Sequence, residues 1–447
     1  MHVRRAVLGL VVLSLVAGPS RAQEAEAPDA APAAVRRPFR LGGEFKLAFR
    51  NSKFVETPLF FPFPPDFIPP GQTAVFQRTV DAGSSLEVPN LALIAEGEPT
   101  SGMTVKAEVH VLDLYNRNPT FSDDRILLRE AWVLIGTRPG FLELPEGSSF
   151  YVLAGLAPRF TKQIVRRLES YGLWGTAVGR FENPQLQVGG SLGRNLYFRA
   201  LVGNGNPLFF RDTNALAGDN GTPERVPGNV DPVYESGFPI LYDAKPADLN
   251  VSGRFEWGAG LGARFAGESW ALDAIGWYFH RRMEDAARIR GTFYEGDLDL
   301  LRGVAFPLPF SGDEKSERGV NVEARAGGLR FFGQYVDQTI AELPRSGFEV
   351  ELAYRLRLDG LFVVGETPIG EALQPVVRYS KIDNDFTAPR EYPGLSVAWD
   401  WTKLDLGLRI DITRSVDLTI EYSRHDMVTA RGTLHPDETL ITLRTGF

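Results

Sequence analysis

Five cationic side chains crowd one stretch of this sequence: Arg159, Lys162, Arg166 and Arg167, with Arg180 close behind. Guanidinium and ammonium groups gathered in a narrow, low-dielectric passage concentrate anions and repel cations, because the walls focus their field. The same groups can do something plainer. Glu169 and Glu182 lie among them, and ion pairs to these and to other carboxylates would simply pin the segment in place. Covalent chemistry has fewer candidates. The histidines are His2, His110, His280, His425 and His435, none with a neighbouring Ser-Gly nucleophile motif or a metal-ligand spacing. Cysteine is absent, no glycine-rich turn of the phosphate-cradling kind opens a helix, and Gly203-Asn204-Gly205-Asn206 reads as a strand-end loop. No cofactor and no metal is expected.

The elements that must carry the cationic segment are strands. Phe39, Leu41, Phe45, Leu47 and Phe49 alternate with Arg40, Glu44, Lys46 and Arg50; Met103, Val105, Ala107, Val109 and Val111 alternate with Lys106, Glu108 and His110. The same period of two runs through Phe348 to Leu358, Leu404 to Ile412 and Thr439 to Phe447, and it is the period of a strand with one oily and one polar face. Sixteen strands are predicted, near 39–50, 84–97, 101–115, 125–138, 149–157, 184–192, 195–203, 249–266, 269–282, 317–326, 329–339, 346–358, 371–383, 399–412, 416–428 and 437–447. Connections after even strands are mostly tight, while those after odd strands include the long ones at 51–83, 158–183, 204–248 and 283–316. That asymmetry, with an even strand number, predicts an all-β fold: a closed antiparallel transmembrane β-barrel with short periplasmic turns and long external loops. Closure is required because lipid offers no hydrogen bonds to an open sheet edge. Trp257, Trp277, Tyr278, Phe279, Trp399, Trp401 and Tyr422 lie near strand ends, where an interfacial girdle is expected.

The termini fit the same picture. Residues 1–22 read as a secretory signal peptide, with Arg4 and Arg5 before the apolar run Val7 to Ala17 and small residues at Ser20-Arg21-Ala22. Residues 23–38, rich in Ala, Pro and Glu, are expected to be a flexible periplasmic segment, and 39–447 to be the barrel. The last strand stops on Phe447, an ending that marks it for the barrel-assembly machinery. The formal charge is −8, and losing Arg4, Arg5 and Arg21 with the leader leaves about −11, which argues against nucleic acid as a partner. With 46 glycines and 11% aromatic residues, strands and tight turns are favoured over helix bundles.

From residue 125 onward the sequence resembles the phosphate-selective porin O and P family. The resemblance rests on Leu128-Arg129-Glu130-Ala131-Trp132-Val133, on Tyr151 to Phe160 leading into Arg166-Arg167-Leu168-Glu169-Ser170, and on Gln187-Val188-Gly189-Gly190 followed by Val202-Gly203-Asn204-Gly205. It continues through Phe348 to Leu356, Gln374 to Lys381 and Leu406 to Phe447. It implies a sixteen-stranded homotrimeric channel of the bacterial outer membrane whose third external loop folds inward, and in some members the passage of anions. The third long loop here is 158–183, so Arg159, Lys162, Arg166, Arg167 and Arg180 would line a constriction. Under the alternation, inward basics on the wall, among them Arg199, Arg355, Arg357 and Arg378, outnumber inward acids. Acid is then left over for loops, at Asp219, Glu224, Asp231, Glu235, Asp313, Glu314 and Glu317, where lipopolysaccharide contacts are conceivable beside plain solvation.

One departure from a dedicated phosphate channel is the lack of a regular ladder of arginines. The expected function is therefore passive diffusion of small hydrophilic solutes through an outer-membrane porin, with a modest preference for phosphate-like or carboxylate anions. Two alternatives stand beside it. A barrel hydrolase would place groups at Phe279-His280-Arg281-Arg282 or Ser423-Arg424-His425-Asp426, and a structural or adhesive barrel would be plugged by 204–248 and 283–316.

Overall fold

In the computed structural model the described residues are 39–59, 70–71, 75–78, 83–113, 127–140, 142–163, 165–170, 172–174, 182–205, 208–209, 239–241, 255–282, 314–340, 343–358, 360–365, 367–384, 400–429 and 432–447. Sixteen strands build one wall. They are β1 (Arg40–Ser52), β2 (Gly83–Thr100), β3 (Met103–Asp113), β4 (Leu127–Gly136), β5 (Ser149–Pro158), β6 (Glu182–Leu192), β7 (Leu196–Gly203) and β8 (Glu256–Ala266). The second half comprises β9 (Trp270–Arg282), β10 (Glu314–Ala326), β11 (Leu329–Ile340), β12 (Leu343–Tyr354), β13 (Ala372–Asn384), β14 (Asp400–Asp411), β15 (Val416–Thr429) and β16 (Glu438–Gly446). Each pairs antiparallel with the next, and β16 returns to β1 with Leu47 opposite Leu443 and Phe45 opposite Thr445. The sheet is closed and has no free edge.

Alternation explains which way each side chain points. On β1 Leu41 is 71% exposed while Arg50 is 2% exposed, and on β14 Leu406 faces out while Lys403 and Asp405 are buried. Apolar residues outside and ion pairs inside invert the arrangement of a soluble sandwich, and this inversion identifies a transmembrane barrel. The signal peptide and the segment 23–38 lie outside the described residues.

The rim that carries both termini has tight connections at 193–195, 267–269, 327–328 and 412–415. Two connections there are longer, 137–148 and 355–371, and on the opposite rim β11 passes to β12 through residues 341–342 alone. Two expectations need correction. Trp277, Phe279 and Trp401 are not girdle residues but lie buried inside the barrel, whereas Trp257, Tyr278 and Tyr422 do face outward; Trp399 lies outside the described residues. Glu317 is not a solvated loop acid, because β10 begins earlier than the alternation indicated and turns it into the lumen, 1% exposed. Asp219, Glu224, Asp231, Glu235 and Asp313 fall outside the described residues, as does most of 204–248 and 283–316.

Candidate functional site: an inner loop tied across the lumen

Of the connection between β5 and β6, the described residues 159–163, 165–170 and 172–174 are built into the barrel interior. Its apolar side chains drive this. Phe160, Leu173 and Trp174 are buried in one cluster with the inward-facing Leu201, Ile275, Trp277, Phe279, Val336, Ile382, Trp401 and Met427 of the wall, so the aromatics on the inner face cover the loop instead of meeting water. Phe160 stacks 5.1 Å from Phe279 in a tilted pair. Close approach needs glycine where the loop touches the wall: a Cβ on Gly347 would run into the Trp174 ring, and one on Gly407 into the Leu168 side chain. Leu168 in turn packs on Ala353 and Val376.

Three charge knots add to this packing. In the first, Arg159 places Nη2 3.0 Å from both Glu256 and Glu317, and Lys315 stands 2.7 and 3.3 Å from the same two carboxylates. The guanidinium carbon of Arg159 also lies 3.7 Å from the Phe279 ring centroid, a cation–π contact at a desolvated position. In the second knot, Arg167 pairs with Glu351 at 2.9 Å. Glu351 is 3.6 Å from Arg378, and Arg378 reaches Asp405 at 2.9 Å and donates to Ser170 Oγ at 2.8 Å. In the third, Glu169 pairs with Lys46 at 2.8 Å and more loosely with Arg444 at 3.9 Å. Glu421 there accepts hydrogen bonds from the backbone N–H groups of Glu169 and Ser170. Burial pushes the Glu169 carboxyl up, but the charges of Lys46, Arg166 and Arg444 outweigh it and hold the group well below its ordinary value of 4.5.

The remaining expected residues take different places. Lys162 pairs with Glu182 at 2.5 Å, and Glu182 also meets Arg129 at 2.9 Å. Arg166 donates to the backbone carbonyl of Glu169. Arg199 is buried on β7 and donates to the Phe160 carbonyl at 3.1 Å. Arg355 pairs with Asp411 at 2.6 Å, and Arg357 stands exposed where the wall ends. Arg180 lies outside the described residues. The alternation overlooked Lys315 and Arg345, which precede the strand starts it gave, and the inward carboxylates Glu87, Glu130, Asp273 and Glu438. With these acids included, the wall is more nearly balanced in charge than the sequence implied.

Water reaches the inner wall unevenly. Inward charges are sealed at Glu317 on β10, Arg378 on β13, Lys403 on β14 and Arg50 on β1, with side-chain exposures of 0%, 3%, 1% and 3%. Others stay wetter, with Glu44 on β1 and Glu108 on β3 at 20%, Lys106 on β3 at 21% and Arg409 on β14 at 14%. Lys106 there bridges Glu108 and Glu130 at 3.1 and 3.0 Å, and His110 contacts Glu108 at 2.9 Å. The described loop residues thus contact strands from β6 round to β16 and Lys46 on β1, and the half-buried charges of β3 lie beyond these contacts. Of the other histidines, His425 is fully buried beside Trp401, and His435 meets Asp426 at 2.7 Å near the rim opposite the termini.

No protein-family model matches the chain, and no curated protein matches it. Among solved structures it is similar to OprB of Pseudomonas putida, at 9% identity and a TM-score of 0.51 over 92% of this chain and 94% of that one. It is also similar to the outer membrane channel DcaP of Acinetobacter baumannii, at 12% identity and a TM-score of 0.47 over 92% of this chain and 97% of that one. At such identities the likeness is one of fold, a closed antiparallel barrel of the outer-membrane kind.

Proposed function

We propose that this chain is an outer-membrane channel for passive diffusion of small hydrophilic solutes, assembled as a homotrimer among outer-membrane lipid and lipopolysaccharide. The observation that carries this reading is the closed wall with lipid-type side chains outside and a polar arc of Glu44 on β1 and Lys106 and Glu108 on β3 still in contact with water. A barrel with its interior wholly packed would have no such arc.

The finer part of the proposal is a modest preference for phosphate-like or carboxylate anions. It is supported by the loop cations that keep water access, Lys162 at 26% side-chain exposure and the half-buried Arg166. Arg159 and Arg167 are committed to buried carboxylates and serve mainly as pins. Purified protein in a planar bilayer tests both parts. Ion conductance is expected, and under a potassium chloride gradient the reversal potential has the sign of an anion-preferring pore. Replacing Lys162 and Arg166 by Gln should move it toward cations, and an unchanged potential removes these two from the conducting path. Absence of any conductance from folded trimers overturns the channel itself.

A further inference from the structure

The connection from β12 to β13 differs in kind from its neighbours on the same rim. Where β10 and β11 are joined through residues 327–328 and β14 and β15 through 412–415, residues 355–371 run out as a hairpin. Its base continues the wall: Leu356–Arg357 pairs with Ala372 and Leu373, and Leu358 N–H donates to the Glu371 carbonyl at 2.8 Å. The ladder then breaks. Gly360 and Gly370 stand at this break, one on each arm, both in the left-handed region at φ 83° and 78°, a conformation that costs glycine little. Beyond them Phe362–Val364 pairs with Thr367–Ile369 as a separate two-stranded sheet.

Its first arm is apolar on both faces, while the return arm opens on an exposed Thr367 and the sequence between them carries Glu366. Leu361, Phe362, Val363 and Val364 are 66%, 57%, 65% and 62% exposed in succession. Along most of the wall an exposed apolar residue is followed by an inward one; over these four residues that alternation stops. A strand docking on a protein offers one face and keeps the other wet, whereas an arm with two apolar faces suits a solvent that is apolar all round. Cations collar its base. Arg357 is exposed, and Arg414 is 81% exposed in the adjoining turn, 3.8 Å from Glu371; Gly370 N–H donates to the Ile412 carbonyl at 2.8 Å and ties finger to turn. The outward band of β12, Leu352 and Tyr354, leads directly into this collar.

We propose that the described residues of 358–371 form a lipid-binding finger, which bends at Gly360 and Gly370, sinks Leu361 to Val364 into the periplasmic leaflet of the outer membrane and sets Arg357 and Arg414 against anionic phospholipid headgroups. An apolar tip with a cationic collar is the pattern of an interfacial anchor. The finger rests on the reading that the barrel spans this membrane.

The absence of cysteine makes the test direct. Val363→Cys carries an environment-sensitive fluorophore in vesicles of phosphatidylethanolamine and phosphatidylglycerol, and Glu268→Cys, exposed in a tight turn on the same rim, is the reference. The label at 363 is expected to emit further to the blue than that at 268, to be quenched by spin-labelled acyl chains and to be shielded from aqueous iodide. Arg357→Gln with Arg414→Gln should weaken lipid quenching in these vesicles and leave it unchanged in vesicles without phosphatidylglycerol. Iodide quenching equal to that at 268, or shielding from iodide and lipid quenchers alike, overturns the finger; the second result would mean that protein covers it. Ion conductance of the same vesicles separates the two failures, since a conducting barrel with a wet label loses only the finger.

Discussion

Glu169 Oε2 stands 2.8 Å from Lys46 Nζ, so the middle of the inner loop is ion-paired to the first strand of the barrel across 123 residues of chain. Both side chains are about nine-tenths buried, and neither can lose its partner cheaply. Glu169→Gln should weaken loop docking by roughly 3 kcal/mol, the scale on which breaking a buried pair destabilises a protein. The expected readout is larger and noisier single-channel conductance, with the barrel still migrating as a folded species on an unheated gel.

The pH dependence of that tie has a definite sign. The folded Glu169 carboxyl is held below its ordinary value of 4.5, so the stabilisation is complete above that value and is lost as pH falls through the lower folded value. Conductance noise should therefore stay flat from neutral pH down to about 5 and rise only in strongly acidic solution. Noise that rises already around pH 6 would show that a different group controls the loop.

Arg159 should prove structural. Its replacement by Gln leaves Glu256 and Glu317 paired to Lys315, with the charge of Arg345 also acting on Glu317, in a site where Arg159 and its three ion-pair neighbours are at most 4% exposed. The cost is about 3–5 kcal/mol of stability, read as a lower temperature at which the folded band converts to the unfolded one. Removing one carboxylate as well, in Arg159→Gln with Glu317→Gln, restores the balance of charge and should recover much of the loss. A double variant no better than the single one would assign the effect to the lost Phe279 contact.

The strands were legible because lipid on one side and water on the other impose a period of two, and Phe45/Lys46 or Leu404/Asp405 print it plainly. The signal faded in two places for physical reasons. Beyond the lipid belt outward residues become polar, as with Arg318, 73% exposed on β10, so the alternation starts late there and does not reveal Lys315, Glu317 and Arg345 as inward residues. Beneath the loop the inner face becomes apolar, so Trp277, Phe279 and Trp401 looked like membrane-interface residues. Which carboxylate meets which loop cation depends on register across strands distant in sequence, such as Glu256 and Glu317 around Arg159, and no local pattern encodes it.

Gly407 tests the fit of loop to wall. It faces inward on β14 opposite Val376 and Glu421, and a Cβ there collides with Leu168. Gly407→Ala should displace the loop at a cost of about 1–3 kcal/mol, the range for overpacking a filled interior. Leu168→Ala added to it opens the required space. The double variant should return conductance noise toward that of Leu168→Ala alone; noise that stays at the Gly407→Ala level would mean the strain lies in the wall backbone.

Phe447 joins closure of the barrel to its assembly. Its backbone exchanges two hydrogen bonds with Gly43, 2.9 Å from Gly43 N–H to the Phe447 carbonyl and 3.1 Å in return, and its ring occupies the space a Cβ on Gly43 would need. The proposal that the assembly machinery recognises the last strand predicts that Phe447→Ala accumulates unfolded in cells yet folds from urea into detergent micelles with near-normal yield. Gly43→Val attacks the packed contact instead and should lower folding in both settings, because the valine side chain meets the Phe447 ring and the Ala92 carbonyl. Equal losses for Phe447→Ala in cells and in micelles would reduce the terminal phenylalanine to a packing residue.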